Sequence, residues 1–277
     1  MNLSEMKMLL AEADIQLTKS LGQNFLHDGN QIRRIVDAAA LAESDRVLEI
    51  GPGLGPLTEW LVAHTREVLG IEIDRRLFAC LQKRFTAVRN LTLLHADALD
   101  YLERHPRDWT EWKLVANLPY SVASTLLVEF AQSAAGPRKL VVTLQLEVAR
   151  RLMAKAGDDD YGVLTLLVQL NYEPQGWFKI PPGCFFPEPD VDSACVTMDR
   201  RIVPLLPPGA WPVYVQLVKR GFSERRKMML KLLKRDWPEE TLVPAFAQLG
   251  LSPQIRAERL TPEQFAQLTL ILAPPAG

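Results

Sequence analysis

The sequence has little that would commit it to a metal, a disulfide or a membrane. Of its 277 residues only three are cysteine, Cys80, Cys184 and Cys195. An odd number with no CxxC pair gives neither a disulfide framework nor a zinc signature, and it suits a reducing compartment. The four histidines, His27, His64, His95 and His105, fall at no ligand spacing, so no metal is expected. No apolar run approaches the roughly 18 residues of a membrane span. The early acids of MNLSEMKMLLAEADIQ are unlike a signal peptide, and the expectation is a soluble, cytoplasmic chain. An excess of either charge is also missing, since 32 Lys and Arg face 33 Asp and Glu for a formal net charge of -1. A polyanion would have to be met by a local patch. Internal repeats and low-complexity segments are absent too.

What is present is a chain 48% hydrophobic, enough to bury a substantial core and to exclude global disorder. Met6–Ala13 and Asn30–Leu41 read as amphipathic helices, the second with Ile32, Ile35, Val36 and Ala39 at helical spacing. Then a strand–turn–helix plan recurs. Strand Arg46–Ile50 leads through glycines to helix Leu57–His64, and strand Val68–Ile73 leads to a helix from Arg75. LTLLHADALDY is a third strand and turn, and WKLVANLPY is a fourth, followed by helix Ser121–Ser133. Strand Leu140–Leu144 precedes helix Glu147–Met153, and YGVLTLLVQLNY and SACVTMDR read as later strands. This alternation predicts a doubly wound, mostly parallel, Rossmann-like α/β sheet. Dense prolines at Pro204, Pro207, Pro208 and Pro212 put a domain boundary near Val203–Ala210. Residues 1–203 form the expected catalytic domain and 204–277 a small α-helical one. DDDYG at Asp158–Gly162 reads as a solvated loop.

In such sheets ligands bind beyond the carboxyl ends of the strands. The first end carries Glu49-Ile50-Gly51-Pro52-Gly53-Leu54-Gly55, whose glycines permit a sharp turn and close approach of a ligand. The second carries Glu72, 21 residues after Gly51, placed to accept both ribose hydroxyls. The third carries Asp97, which can take an adenine amino group. A dinucleotide would want G-x-G-x-x-G under its pyrophosphate, and Pro56 breaks that fingerprint. S-adenosylmethionine has no phosphate and suits the three ends better. Glu49 could face its sulfonium or amino group, or else be a solvated acid.

The fourth strand delivers Asn117-Leu118-Pro119-Tyr120 into the same crevice. Alone this could be a structural turn with Tyr120 in the core. Beside a methyl-donor site it reads as a corner for methylating an adenine amino nitrogen, a poor nucleophile because its lone pair is delocalised into the ring. The Asn117 side-chain oxygen and the Leu118 carbonyl, held extended by Pro119, can accept its two hydrogens, and Tyr120 can stack on a flipped base. Downstream, Lys219–Asp236 holds eight cations and two acids. Such a cluster is either a solvated helix face or a phosphate-binding patch.

Together these residues resemble the KsgA-type ribosomal RNA adenine dimethyltransferases, over nearly the whole chain from about Thr18 to Phe265. LGQNFLHD resembles the family's closing motif, which implies that Asn24 and Leu26 contact S-adenosylmethionine, with Gly51, Glu72, Asp97 and Asn117 at its other cofactor positions. NLPYSVAST matches the catalytic motif. PPGCFFPEPDVDSACV matches the F-x-P-x-P-x-V-D-S segment and implies Phe185 as an aromatic at the target base. GFSERRKMMLKLL and IRAERLTPEQF match segments of the RNA-facing domain, giving Arg225, Arg226, Lys227 and Lys231 as RNA contacts. The resemblance implies dimethylation of two neighbouring adenosines near the 3′ end of small-subunit (16S) rRNA by a monomer acting on the pre-30S particle late in maturation. Leu146, Asp190 and Glu224 depart from the family's pattern and leave the surface less cationic near the expected RNA path. The alternatives are a resistance-type methyltransferase of large-subunit rRNA and a non-catalytic assembly factor that keeps the fold.

Overall fold

The computed structural model describes residues 1–12, 15, 23–207 and 209–273. Ala13, Thr18, Leu21, Gly22 and Pro208, named above, lie outside the described residues. Contacts divide the chain into two compact units.

The first unit holds Met1–Phe130, Ala135–Ala149 and Pro174–Arg200. Helix α1 is Leu3–Glu12, β1 is Phe25–Leu26 and α2 is Gly29–Ala39. The doubly wound plan follows as β2 Arg46–Ile50, α3 Pro56–His64, β3 Glu67–Glu72, α4 Arg75–Arg84, β4 Leu91–His95 and α5 Ala98–Arg104. It continues as β5 Trp112–Asn117, α6 Ala123–Gln132, β6 Lys139–Gln145 and α7 Leu146–Met153. After α8 (Val163–Gln169) come β7 Tyr172–Ile180, β8 Phe185–Phe186 and β9 Ser193–Arg200. The main sheet runs β4-β3-β2-β5-β6-β9-β7. The pairs β2–β3, β3–β4, β2–β5 and β5–β6 are parallel, and β9 returns antiparallel to β6. Strands β2, β3 and β5 are near-continuous apolar runs because helices cover both of their faces. The order reverses between β2 and β5, the switch point where a crevice opens. Aspartates start three of the helices, with Asp28, Asp74 and Asp97 each accepting two main-chain N–H groups at the N-termini of α2, α4 and α5.

The second unit holds Ala131–Ala134, Arg150–Glu173 and Arg201–Gly277. Beyond α8 its helices are α9 Trp211–Gly221, α10 Met229–Leu233, α11 Glu239–Gln248 and α12 Pro262–Leu272. Its core is tied by buried phenols, the Tyr214 hydroxyl donating to the Leu166 carbonyl at 2.9 Å and Tyr161 to that of Leu260 at 2.7 Å. The sequence division assigned Arg150–Glu173 to the first domain; the contacts group it with the C-terminal helices.

YGVLTLLVQLNY is not a strand. Val163–Gln169 is helix α8, with Thr165 through Gln169 all buried. A short segment covered on every side shows no helical stripe, so its periodicity is silent. The strand is the next segment, β7, where Pro174 and Gly176 obscure the pattern; its place at the sheet edge is where proline is tolerated.

Candidate active site

The strand ends of β2, β3, β4 and β5 converge with Gln23, Asn24 and Phe25 on one cleft. Gly51, Gly53, Glu72, Asp97 and Asn117 through Tyr120 all line it. Residues distant in sequence meet here because parallel strands leave all their carboxyl ends on one side of the sheet.

The glycine turn is shaped by its neighbours. Gly51 has φ +69°, and a Cβ there would lie 3.2 Å from the Pro119 ring. Gly53 has φ +64°, and a Cβ would come within 2.6 Å of the Phe25 ring. The first motif is thus fitted against both the fourth strand end and the N-terminal segment. Glu72 is buried, and its carboxylate accepts the Gly53 N–H at Oε2 and the Asp74 N–H at Oε1, each at 2.9 Å. Burial, with the charge of Asp74 beside it, pushes its pKa up, while main-chain bonds from Asp74, Gly53 and Ile73 work against the rise. With main-chain donors from Gly53, Ile73 and Asp74, the carboxylate still has acceptor capacity for a further donor.

Asp97 spends Oδ1 on the N–H groups of Leu99 and Asp100 at 2.8 and 3.3 Å. Its second oxygen is left for a ligand. Ile73, half exposed between Glu72 and the helix cap Asp74, supplies an apolar wall where a base could lie. Neither Ile73 nor Phe25 was singled out from the sequence. The signal for Ile73 was an isoleucine between two acids at a strand end, where a buried side chain is not expected.

At the fourth end, Asn117 Nδ2 donates to the Asn24 carbonyl at 2.9 Å, and Oδ1 is buried with no hydrogen-bond partner among the described residues. The Leu118 N–H donates to the Thr143 carbonyl at 3.0 Å, which holds the strand end down. The Pro119 carbonyl takes the N–H groups of Val122 and Ala123, whereas among the described residues no donor to the Leu118 carbonyl is found. The Tyr120 hydroxyl lies 2.5 Å from Ser193 Oγ, and burial raises the phenol's pKa.

Glu49 is neither a wall of the cleft nor a solvated acid. It is fully buried and accepts the Thr58 hydroxyl at 2.7 Å. Burial, aided by the charge of Glu72 and opposed by Thr58, pushes its pKa up to about 8. The structure also does not bring Leu26 and Phe185 to the cleft. They face each other across the β1–β8 pair and pack in the core with Ile32, Ile35 and Ile180. Among the described residues no cluster of His, Cys, Asp and Glu could hold a metal ion, and no helix is long and apolar enough to cross a membrane.

In the second unit Arg225, Arg226, Lys227 and Lys231 are exposed. Ion pairs reduce the cationic excess of this segment. Arg220 pairs with Asp236, Arg235 with Glu224 at 2.7 Å, Lys234 with Glu239 at 2.6 Å and Arg225 with Asp159 at 3.5 Å. Two of those acids lie outside Lys219–Asp236, so the folded patch sets eight cations against four acids. Glu224, one of the departures noted above, is spent on Arg235.

The residues present fit S-adenosylmethionine, with a buried acid for ribose, a second acid and an apolar wall for adenine, and a turn that presents bare main chain at Gly51 and Gly53 to the cleft.

Comparison with known proteins matches residues 15–274 to the family described as ribosomal RNA adenine dimethylase. A ribosomal RNA small subunit methyltransferase A from Gloeobacter violaceus is 40% identical over 261 residues, covering 92% of this chain and 93% of the relative. One from Geobacillus thermodenitrificans is 36% identical over 278 residues, covering 97% and 95%. Among solved structures, a dimethyladenosine transferase from Plasmodium falciparum superposes with TM-score 0.76 at 25% identity, covering 88% of this chain and 95% of that one. The 23S rRNA methyltransferase ErmE superposes with TM-score 0.69 at 29% identity, covering 90% and 99%.

Proposed function

The chain belongs to the ribosomal RNA adenine dimethylase family and is an RNA-modifying methyltransferase, and on that premise we propose that it dimethylates the 6-amino groups of two adjacent adenosines near the 3′ end of small-subunit rRNA, acting as a monomer on the immature small subunit. The observation that carries this reading is the pair of acceptors at the fourth strand end, Asn117 Oδ1 and the Leu118 carbonyl. Two acceptors match the two hydrogens of an adenine amino group.

S-adenosylmethionine, when bound, supplies the methyl group in electrophilic form. Glu72 would hold its ribose, Asp97 and Ile73 its adenine, and the Gly51–Gly53 turn would let its backbone approach closely. The chain's own work is orientation. Asn117 and Leu118 take the amino hydrogens, favour pyramidal nitrogen and so aim the lone pair. Fixed dipoles need no reorganisation as positive charge develops on that nitrogen. Once cationic, the nitrogen sheds its proton readily to water, so no strong base is required. A monomethylated amine keeps one N–H for one acceptor and remains nucleophilic, which permits the second transfer. Tyr120 offers a face to the extruded base, and the exposed cations of the second unit, Arg225, Arg226, Lys227 and Lys231, would meet rRNA phosphates.

The test is incubation with labelled cofactor and, side by side, immature small subunits from a strain lacking this activity and protein-free large-subunit RNA, followed by mass-spectrometric mapping. Dimethyladenosine at adjacent positions of the small-subunit RNA is expected. Label confined to large-subunit RNA would move the chain to the resistance-type branch, and absence of label on any adenine would leave only an assembly factor.

A further inference from the structure

The mechanism above uses the face of Tyr120 but not its hydroxyl, which ends 2.5 Å from Ser193 Oγ. Ser193 opens β9, is fully buried, and pairs in register with Gln145 at the end of β6. It is the last residue of the F-x-P-x-P-x-V-D-S segment, whose Phe185 lies in the core. We infer that Ser193 is a positioning residue for methyl transfer, fixing the position of the Tyr120 ring against which the target base stacks.

The physical reason is two-point fixation. The backbone end of Tyr120 is set by Pro119, whose carbonyl takes the N–H groups of Val122 and Ala123. That end alone leaves the ring free to swing about two side-chain torsions. A hydrogen bond at the far end of the ring fixes the first torsion and with it the ring's position, and the in-plane preference of a phenol O–H biases the second. The anchor is itself rigid, because β9 is hydrogen-bonded along β6 from Ser193 to Asp199 and the preceding Asp192 carbonyl takes the Leu146 N–H at 2.9 Å. A tilted base would misdirect its amino group from Asn117 Oδ1 and the Leu118 carbonyl, and small misplacements cost rate steeply. Phenylalanine would offer the same stacking face but no tether.

This inference rests on the adenine-methylation reading, and the experiment separates the two. Ser193→Ala and Tyr120→Phe each delete the bond from one side, and the double variant deletes it once. Each single variant is expected to lower kcat about five- to tenfold, the size of one lost hydrogen bond. Cofactor affinity by calorimetry should stay unchanged, and monomethyladenosine should accumulate because a loosened base leaves between transfers. The double variant should be no slower than either single variant, and Ser193→Thr, which keeps a hydroxyl, should restore most of the rate. Multiplying defects in the double variant, or an unchanged kcat and mono-to-dimethyl ratio in the single ones, would overturn the tether. If Ser193→Ala fails to fold, Tyr120→Phe alone decides by the same readouts. A wild-type protein that methylates no adenine would instead overturn the parent reading.

Discussion

Asn117 Nδ2 donates to the main-chain oxygen of Asn24 at 2.9 Å, and this one bond decides which end of the amide faces away from the N-terminal segment. With the nitrogen committed to Asn24, the oxygen is left buried and, among the described residues, unpaired. A buried polar atom without a partner is costly, and here its cost is relieved only when a donor arrives. Asn24 therefore does more than line the cleft, since it holds the Asn117 amide in the accepting orientation that the proposed mechanism needs.

Asn117→Asp should show this directly. A carboxylate keeps an acceptor but loses the donor to Asn24, so the N-terminal segment is repelled rather than held. Methyl transfer is expected to fall at least about a hundredfold, the size of losing a preorganised polar group, while Tm shifts by only a few degrees. Single-turnover assays beside thermal melts check it; near-wild-type turnover would refute the orienting role.

Glu72→Ala should weaken cofactor binding by about 1–3 kcal/mol, because it removes the ribose acceptor and orphans the Gly53 and Asp74 N–H groups. Glu72→Gln should lose less, since an amide oxygen can still accept one of them. Calorimetry that found both variants equal to wild type would remove Glu72 from the cofactor site.

Glu49 gives a pH signature. Its pKa is about 8 in the fold against an ordinary 4.5. The folded chain therefore keeps a proton that the unfolded chain has released between those values. The stabilisation this confers is full below about pH 4.5 and is lost as pH rises toward 8, at up to about 1.4 kcal/mol per unit. The raised pKa of Glu72 acts with the same sign. Glu49→Gln mimics the protonated state at every pH and keeps an acceptor for Thr58. Urea melts from pH 5 to 8 should show wild type losing ground to Glu49→Gln as pH rises. Parallel pH profiles would show that Glu49 does not titrate in this window.

The basic segment should act as a few free cations rather than as eight. Replacing Arg226, Lys227 and Lys231 together by alanine should flatten the slope of log affinity against log salt for rRNA by about 2 to 3 units. Arg225→Ala should do less, because Asp159 already takes part of its charge. Filter binding over a salt series checks it, with cofactor affinity expected to stay constant.

The parallel strands were legible because each is a short apolar run ended by glycine or acid, a pattern with few other uses. Gly51, Glu72, Asp97 and Asn117 were legible because they stand at those ends. Helix α8 and strand β7 were not. The first is buried on all sides and shows no stripe, and the second carries Pro174 and Gly176 at a sheet edge. Leu26 and Phe185 were reached by motif, and a motif records residue type without saying which way a side chain points in a two-residue β pair.

The sequence by itself determined the fold class, the crevice and the chemistry the crevice can hold, because local patterns set strand ends and parallel strands must gather those ends on one side. Only the tertiary structure decided which atoms are free to act. That Asn117 presents oxygen, that Glu49 is sealed against Thr58, that Tyr120 is tethered to Ser193 and that half the basic patch is already neutralised all depend on contacts between residues far apart in the chain. Hydrogen bonds and ion pairs form by distance and angle, and neither is encoded in local spacing.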